Sequence, residues 1–283
     1  MADVQDFELL KTSEEPPIEA RAEGPSWLWL VVAALVAATA AAVYIVAGRT
    51  HRAAPATADQ RHAEPQAPVR PLGGNAAPVT VPPLDQSDPV VRELVKQITS
   101  HPRIAAWLAT DGLIRTVTVA VENVADGATP AGRFRVLRPA SGFETVARGG
   151  DLQINPRSYE RYDDLGDAAG SIDAAGAARV YATLKPRIDE AYRDLGYSGT
   201  PFDRTLERAI VLLLRTPASD GAARLEPRGI GYGFVDPALE GLTAAQKQLL
   251  RTGPRNVRII QSSLRRIALA LGIPAERLPA PAT

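Results

Sequence analysis

The chain offers few of the side chains that enzymes use for chemistry. Among its 283 residues there is no cysteine, and the three histidines are His51, His62 and His101. A chain without cysteine cannot form disulfides, thiolate metal sites or a thiol nucleophile. The sequence also lacks a serine-hydrolase elbow, a Ser-x-x-Lys pair and a phosphate-binding Gly-Lys loop. We therefore predict no catalytic residue, no metal ligand and no cofactor.

The carboxylates occur as immediate neighbours, as in Asp163/Asp164 and Asp189/Glu190. Adjacent residues on a helix point about 100° apart, so neither pair can be assigned as an acid/base couple from its spacing. An envelope enzyme that acts on cell-wall glycan or peptide, through carboxylates brought together by folding, stays an open alternative.

Arginines with a stronger binding signature lie near the end of the chain. In the last predicted helix the aliphatic side chains fall on one side and the arginines on the opposite side. The predicted binding residues of this basic face are Arg251, Arg255, Arg258, Arg265 and Arg266. They indicate an anionic partner, such as phospholipid headgroups, cell-wall polymer or an acidic protein. The alternative is a solvated face, or one paired with Asp189, Glu190 and Asp194.

A second cluster combines tyrosine and arginine within 155–163. Tyr159, Arg161 and Tyr162 follow Asn155-Pro156, which is typical of a helix start. Tyrosine and arginine are common anchors of binding surfaces. Hydrogen bonding at a corner of the domain is the alternative role for these three residues.

Hydrophobic periodicity predicts the elements that must position these clusters. Apolar residues at helical spacing predict helices after Ser87, from Pro102, over 173–196, after Thr200, after Thr243 and after Gly253. We also predict a helix over 113–124, with a strand as the alternative, because Val117, Val119 and Val121 alternate as in a strand. Strand-like runs occur at 134–137, 143–146, 152–154 and within 225–234. The predicted class is α+β, a predominantly helical globular domain with short antiparallel β elements.

Residues 27–47 contain no charged side chain. A helix of that length spans roughly 32 Å, close to the ~30 Å hydrocarbon core of a bilayer. Trp27 and Trp29 lie at its start and Tyr44 near its end, where aromatic rings favour the headgroup level. We predict one transmembrane helix in the lipid bilayer. Cleavage as a signal peptide is the alternative, although the segment before it is long and acidic.

Composition divides the rest of the chain. The predicted segments are an acidic tail at 1–26, a Pro/Ala-rich disordered linker at 48–83, a globular domain at 84–274 and a disordered tail at 275–283. The linker holds seven prolines, which predicts a semi-extended spacer.

Charge and linker disagree about the orientation of the membrane helix. Arg49, Arg52 and Arg61 follow the helix while Lys11 and Arg21 precede it, which slightly favours a cytoplasmic C-terminal domain. A long spacer is instead useful for holding a domain away from a membrane. We predict a single-pass inner-membrane protein with a periplasmic domain. A cytoplasmic-facing membrane scaffold stays an alternative.

Several short motifs are spread over 82–272. They include Ser87-Asp88-Pro89, Ser100-His101-Pro102, Asn155-Pro156 followed by Tyr159-x-Arg161-Tyr162, and Gln246-Lys247-Gln248-Leu249-Leu250-Arg251-x-Gly253-Pro254-x-Asn256. In these residues the chain resembles a bacterial family catalogued as domain of unknown function 3014. The resemblance implies a membrane protein with one N-terminal helix, and it supplies no catalytic residue or substrate.

These features together predict a tethered cell-envelope protein whose domain binds a partner without catalysis. The partner is predicted to be an anionic envelope component or a protein. Nucleic acid is not predicted, because 32 basic residues balance 32 acidic residues. The oligomeric state is left open.

Overall fold

A computed structural model of the chain describes residues 71–74, 80–139, 141–197, 199, 201–218, 223–229 and 231–281. All of them belong to one compact unit, 67–283. The predicted acidic tail, the membrane helix and most of the linker lie outside the described residues. Within the described residues, no single helix is both long enough and apolar enough to cross a bilayer. Two neighbouring helices, 102–108 and 113–125, have the required length and apolar composition only when they are taken together, and a bend of 110° separates them.

The described residues form ten α-helices and four β-strands, which confirms the predicted α+β class. The helices are α1 Asp88–Lys96, α2 Pro102–Leu108, α3 Leu113–Ala125, α4 Pro156–Glu160, α5 Asp163–Gly170, α6 Ala174–Asp194, α7 Phe202–Leu214, α8 Pro237–Glu240, α9 Ala244–Leu250 and α10 Pro254–Ala270. The strands are β1 Thr145–Arg148, β2 Asp151–Ile154, β3 Arg224–Arg228 and β4 Gly231–Phe234.

Short polar side chains fix several helix starts as the sequence predicts. The Nδ1 atom of His101 accepts a hydrogen bond from the backbone N–H of Arg103 at 3.2 Å. Thr243 and Gln246 form a capping box at the start of α9, the helix predicted after Thr243. Pro254 opens α10, where its missing N–H costs no helical hydrogen bond.

The four strands form one antiparallel sheet in the order β1-β2-β3-β4. Gly149 and Gly150 make the predicted turn between β1 and β2, with φ of 62° and 88°. Strand β4 confirms the prediction for 225–234. Gly233 lets the side chain of Arg228 lie across the strand, since a Cβ at Gly233 would be 3.1 Å from the Nε atom of Arg228.

Apolar contacts divide the core into clusters around the longer helices. One cluster joins α3, α6 and α7 through Leu113, Tyr192 and Phe202. A separate cluster packs the sheet against α9, with Phe234 and Leu250 at its centre. The sheet and α9 thus bring residues from 145–154 and 224–250 close together, and α9 also contributes Gln248 to the groove described below.

The upstream limit of the domain lies before the predicted boundary at residue 84. Leu72 is only 9% exposed and packs in an apolar cluster. The backbone N–H of Leu72 donates to the carboxylate of Asp203 at 3.4 Å, and the same carboxylate accepts from Lys185 Nζ at 3.0 Å and from the Tyr181 hydroxyl. Part of the predicted linker therefore packs onto the domain.

The predicted disordered tail at 275–283 is wrong for the residues that the structure describes. A 3₁₀ turn spans Ala275–Arg277, and Leu278 is buried in the same cluster as Leu72. Arg277 pairs with Glu207 at 2.7 Å, and Arg265 donates to the carbonyl of Pro279. An apolar anchor and two arginine contacts order this segment, despite its small and proline-rich composition.

The predicted strand at 134–137 is also wrong. Arg135–Leu137 is a 3₁₀ turn, in which Leu137 N–H donates to the carbonyl of Phe134 at 3.0 Å. This local bond satisfies the backbone without a neighbouring strand. Phe134 instead packs its ring on the edge of Trp107, with a centroid separation of 6.3 Å.

Candidate binding groove

The two motifs that carry Tyr159 and Gly253 meet in space. The ring of Tyr159 lies directly against Gly253, where a Cβ atom would be 2.6 Å from Cγ of the tyrosine. Gly253 has a φ of 90°, a conformation that side chains other than glycine rarely adopt. Both the backbone conformation and the close contact therefore require glycine between α9 and α10.

Asn256 joins the same two motifs by hydrogen bonds. Its side chain is 1% exposed, and its Nδ2 atom donates to Asp163 Oδ1 at 2.8 Å and to the carbonyl of Thr252 at 2.9 Å. A Cβ atom at Gly166 would come within 2.4 Å of Oδ1 of Asn256. The first turn of α10 is thus fixed against α5.

The segment between α4 and α5 separates two cavities. The sequence predicted one helix start here, but α4 ends at Glu160 and α5 begins at Asp163, with Tyr162 at φ −103° and ψ 0° between them. Tyr159 lines a cavity of about 350 Å³ on one side. Arg161 and Tyr162 line a groove of about 630 Å³ on the other side. The structure therefore divides the predicted cluster between two surfaces.

The cavity beside Tyr159 is mainly apolar, and Ile154, Leu239 and Leu250 contribute to its wall. Burial raises the pKa of Tyr159, because water no longer stabilises the phenolate. Tyr159 thus packs its ring at the corner of the domain against Gly253, and a binding role for it stays a prediction.

The groove on the other side has aromatic, aliphatic and cationic walls. Its lining comes from 130–141, from α5 and its preceding residues, and from α9. The residues used below are Phe134, Leu137, Arg138, Ser141, Arg161, Tyr162 and Gln248. A volume of this size lies within the roughly 300–1,000 Å³ of ligand pockets.

Arg161 is held in a defined orientation by neutral groups. Its Nε atom donates to the carbonyl of Ser158 at 2.9 Å, and Nη1 donates to the carbonyl of Ser141 at 3.0 Å. Nη2 donates to the hydroxyl of Tyr162 at 3.3 Å. The guanidinium also lies 4.9 Å from the ring centroid of Tyr162 and 5.8 Å from that of Phe143.

The positive charge of Arg161 has no acidic partner in the part of the chain that the structure describes. No carboxylate there forms an ion pair with Arg161 or with Arg138, the second arginine of the groove. A guanidinium has five N–H donors, and the three bonds above leave one on each terminal nitrogen of Arg161. Two oriented donors therefore remain for an anion.

An exposed aromatic pair continues the surface beyond Arg161. Phe143 is 38% exposed and Tyr232 is 42% exposed. Their ring centroids are 5.8 Å apart. Arg161 contacts both Phe143 and the groove residue Tyr162, so its guanidinium adjoins the groove and the exposed aromatic pair.

Several arginines of the basic face predicted on the last helix form ion pairs or hydrogen bonds within the chain. Arg255 pairs with Asp167 at 2.7 Å and with Asp163 at 3.5 Å, and its contact with Asp167 raises the pKa of its guanidinium. Arg266 donates to the carbonyl of Gly170 at 3.2 Å. Arg258 is exposed and also makes a contact within the chain.

The predicted acidic partners of that face bind other cations. The observed pairs are Asp189 with Lys185, Glu190 with Arg187, and Asp194 with Arg115. Arg251 follows α9 as its C-terminal cap and is partly buried, while Arg265 holds the C-terminal segment. A binding role for the five arginines stays a prediction.

Three aspartates line a smaller cavity of about 260 Å³. Asp85 pairs with Arg115 at 2.9 Å, and Asp111 pairs with Arg92 at 3.3 Å. The carboxylate of Asp88 accepts from the backbone N–H of Leu113 at 2.9 Å. These contacts tie the starts of α1 and α3 together, and each carboxylate is committed to a structural partner.

Sequence reasoning found Arg161 and Tyr162 but missed the rest of the groove. Phe134, Phe143 and Tyr232 lay in strand-like runs and Gln248 in a family motif, but neither they nor Arg138 were predicted to bind a ligand. Only the tertiary contacts between 130–141, the end of α4 and α9 bring them together. The pairing of aromatic residues with arginine in both 134–143 and 159–162 is the one pattern that could have suggested it.

Comparison with known proteins identifies the family of the chain. No curated protein and no solved structure matches the chain. A family profile matches residues 113–268, which is more than half of the chain and includes the whole lining of the groove. The chain therefore belongs to the family described as Protein of unknown function (DUF3014).

Proposed function

We propose that the chain is a single-pass, membrane-tethered cell-envelope protein and that its domain is a non-catalytic binding module. The groove beside Arg161 takes an anionic partner that also carries apolar groups. The domain lies on the outer side of the inner membrane, at the end of the proline-rich spacer.

The observation that carries this proposal is the orientation of Arg161 without an acidic partner. Three neutral acceptors hold its guanidinium in place, so little conformational freedom is lost when an anion binds. Hydrogen bonds to ionised groups are about twice as strong as neutral ones. The aromatic and aliphatic walls of the groove add apolar contact for the rest of the ligand.

The tethered arrangement is supported by composition alone. Residues 27–47 carry no charge and are long enough to span a bilayer as a helix. Upstream of Leu72, which packs on the domain, Pro55, Pro65 and Pro68 favour an extended spacer. Such a tether keeps a binding domain near the membrane and raises the effective concentration of partners there.

Photo-crosslinking in cells that express the full-length protein tests the binding function. A photoreactive benzoylphenylalanine replaces Gln248 in the groove or, as a control, the exposed Arg193 on α6. We expect a discrete adduct from position 248 only, and its loss when Arg161→Gln is added. Equal adducts from both positions, or an adduct indifferent to Arg161→Gln, would contradict the proposal.

A further inference from the structure

The groove and the exposed aromatic pair, Phe143 and Tyr232, both adjoin Arg161, and together they are named here the recognition surface. We infer that this surface binds an extended peptide that carries an aspartate or glutamate between apolar residues. The inference rests on the proposed binding function and names the chemical class of the partner.

The acidic residue of the peptide follows from charge complementarity. Arg161 offers one free N–H on each terminal nitrogen, and a carboxylate accepts both with its two oxygens. Arg138, which is exposed at the groove, adds a second positive charge. No acidic residue lines the groove among the described residues, so a carboxylate meets no repulsion there.

The position of the acid within the peptide follows from the two apolar surfaces. Phe134 and Leu137 line the groove on the Tyr162 side of Arg161. Phe143 and Tyr232 form a second exposed aromatic surface, and the Phe143 ring lies 5.8 Å from the same guanidinium. A ligand that ended at its carboxylate would leave one of these surfaces uncovered. An internal acidic residue covers both, because side chains of an extended peptide continue in each direction.

Polar groups along the groove favour a peptide over an acyl chain or a glycan. Gln248 and Ser141 contribute an amide and a hydroxyl, which match the N–H and C=O groups of a peptide backbone. An acyl chain would cover these groups without hydrogen-bonding them, at a cost in free energy. Sugar hydroxyls would in turn lie against Phe134 and Leu137, where they find no partner.

Fluorescent peptide pools provide the probe. Each heptapeptide is acetylated and amidated, with leucine, phenylalanine or valine on both sides of a central glutamate. A matched pool has glutamine at the centre. A third pool has the same glutamine centre and a free C-terminal carboxylate, and laurate serves as an acyl competitor. Binding to the full-length protein in detergent is followed by fluorescence anisotropy.

We expect the glutamate pool to bind at least about tenfold more tightly than the glutamine pool, since the carboxylate bond is charge-assisted. Arg161→Gln should abolish the difference, while Arg193→Gln removes an exposed charge elsewhere and should preserve it. Tyr232→Ser leaves the hydrogen bonds of Arg161 intact and should still weaken the glutamate pool several-fold. Circular dichroism verifies that each variant is folded.

The alternative outcomes separate this inference from the proposed function. Any one of four outcomes overturns the inference of a peptide with an internal acid. The glutamate and glutamine pools bind equally, or the pool with a free C-terminus binds more tightly than the glutamate pool. Laurate binds in a manner that depends on Arg161, or Tyr232→Ser leaves the affinity unchanged. An adduct at position 248 without binding of any pool also overturns the inference and leaves the binding function intact. The loss of both adduct and peptide binding overturns both.

Discussion

Gly253 and Gly272 both have a φ of 90°, but their surroundings differ. At Gly253 a Cβ atom would collide with the ring of Tyr159 at 2.6 Å. At Gly272 nothing lies within 4 Å of the same position. The pair therefore separates the cost of a left-handed backbone from the cost of lost space.

Alanine at each of these glycines should reveal that difference. We expect Gly253→Ala to lower the free energy of unfolding by roughly 2–5 kcal/mol, because backbone strain and overpacking add. Gly272→Ala should cost only about 1–2 kcal/mol, from the backbone alone. Urea unfolding followed by circular dichroism measures both. Equal losses would mean that the contact with Tyr159 contributes nothing.

Individual residues were predicted from sequence where the signal is local. The helix starts at Pro102 and after Thr243 depend on capping side chains within three positions, and both starts are confirmed. The surroundings of Arg161 depend on Ser141 and Phe143, about twenty positions away, and no periodicity reports them. Chemistry that is assembled by tertiary contact could not be deduced from one sequence.

At the scale of elements, Glu240 connects the β3–β4 hairpin to two helices. Its carboxylate accepts from the backbone N–H of Phe234 at 2.9 Å, from Lys247 at 3.0 Å and from Arg228 at 3.1 Å. The hydrogen bond from Phe234, followed by that from Lys247, holds the pKa of Glu240 below its ordinary value. The folded state thus favours the ionised carboxylate.

This shift makes part of the stability dependent on pH. A carboxylate with a lowered pKa in the folded state stabilises fully above its unfolded pKa, about 4.3, and the contribution is lost as pH falls through the folded value. We expect Glu240→Gln to destabilise at pH 7, and we expect its deficit to shrink as pH falls below about 4.3, the unfolded pKa of glutamate. Thermal unfolding across this range measures the gap.

The control for this prediction is Glu226→Gln, which removes one contact to Arg228 but no backbone hydrogen bond shown for that residue. It should change stability much less at every pH. A Glu240→Gln variant whose deficit stays constant from pH 7 to pH 3 would contradict the role given to the ionised carboxylate.

The segment 71–74 distinguishes an ordered element from a linker. We expect Leu72→Ala to lower the free energy of unfolding by about 2 kcal/mol, the lower end for a buried leucine, since Leu72 is 9% exposed. Thr80→Ala, at an exposed position, should change it by less than about 0.5 kcal/mol. Chemical denaturation decides between them. A neutral Leu72→Ala would restore the predicted linker boundary at residue 84.

Elements with a sustained period were the predictable part of the fold. Helix α6 repeats its apolar residues over five turns, and its span matches the prediction closely. The 3₁₀ turn at Arg135–Leu137 is too short to show a hydrophobic period, and its apolar residues suggested a strand instead. Leu72 and Leu278 are single anchors in polar or proline-rich surroundings, so composition concealed their burial.

At the scale of the whole molecule, the predicted membrane helix at 27–47 lies outside the described residues, and its prediction stands on composition. We expect the full-length protein to stay with the membrane pellet after an alkaline carbonate wash, because the uncharged segment is solvated by lipid. Deletion of 27–47 should release it. A reporter fused at Thr283 should be active only on the outer side of the inner membrane.

Two outcomes would contradict these expectations in different ways. Intact, unprocessed protein in the wash supernatant would remove the membrane helix. A reporter active only in the cytoplasm would keep the helix but reverse its orientation, as the arginines after residue 48 favour. The groove would then face cytoplasmic peptides, and the domain would be a scaffold recruited to the inner leaflet.

The two ends of the domain leave it side by side. Leu72 and Leu278 share one apolar cluster, and the backbone N–H of Gly73 donates to the carbonyl of Leu271 at 2.8 Å. A pulling force applied between residues 71 and 281 would therefore break the contacts of this apolar cluster one after another. The groove shares no residue with the apolar cluster that contains Leu72 and Leu278. Under tension, we expect the C-terminal segment around Leu278 to detach from the domain first, while the recognition surface keeps its structure.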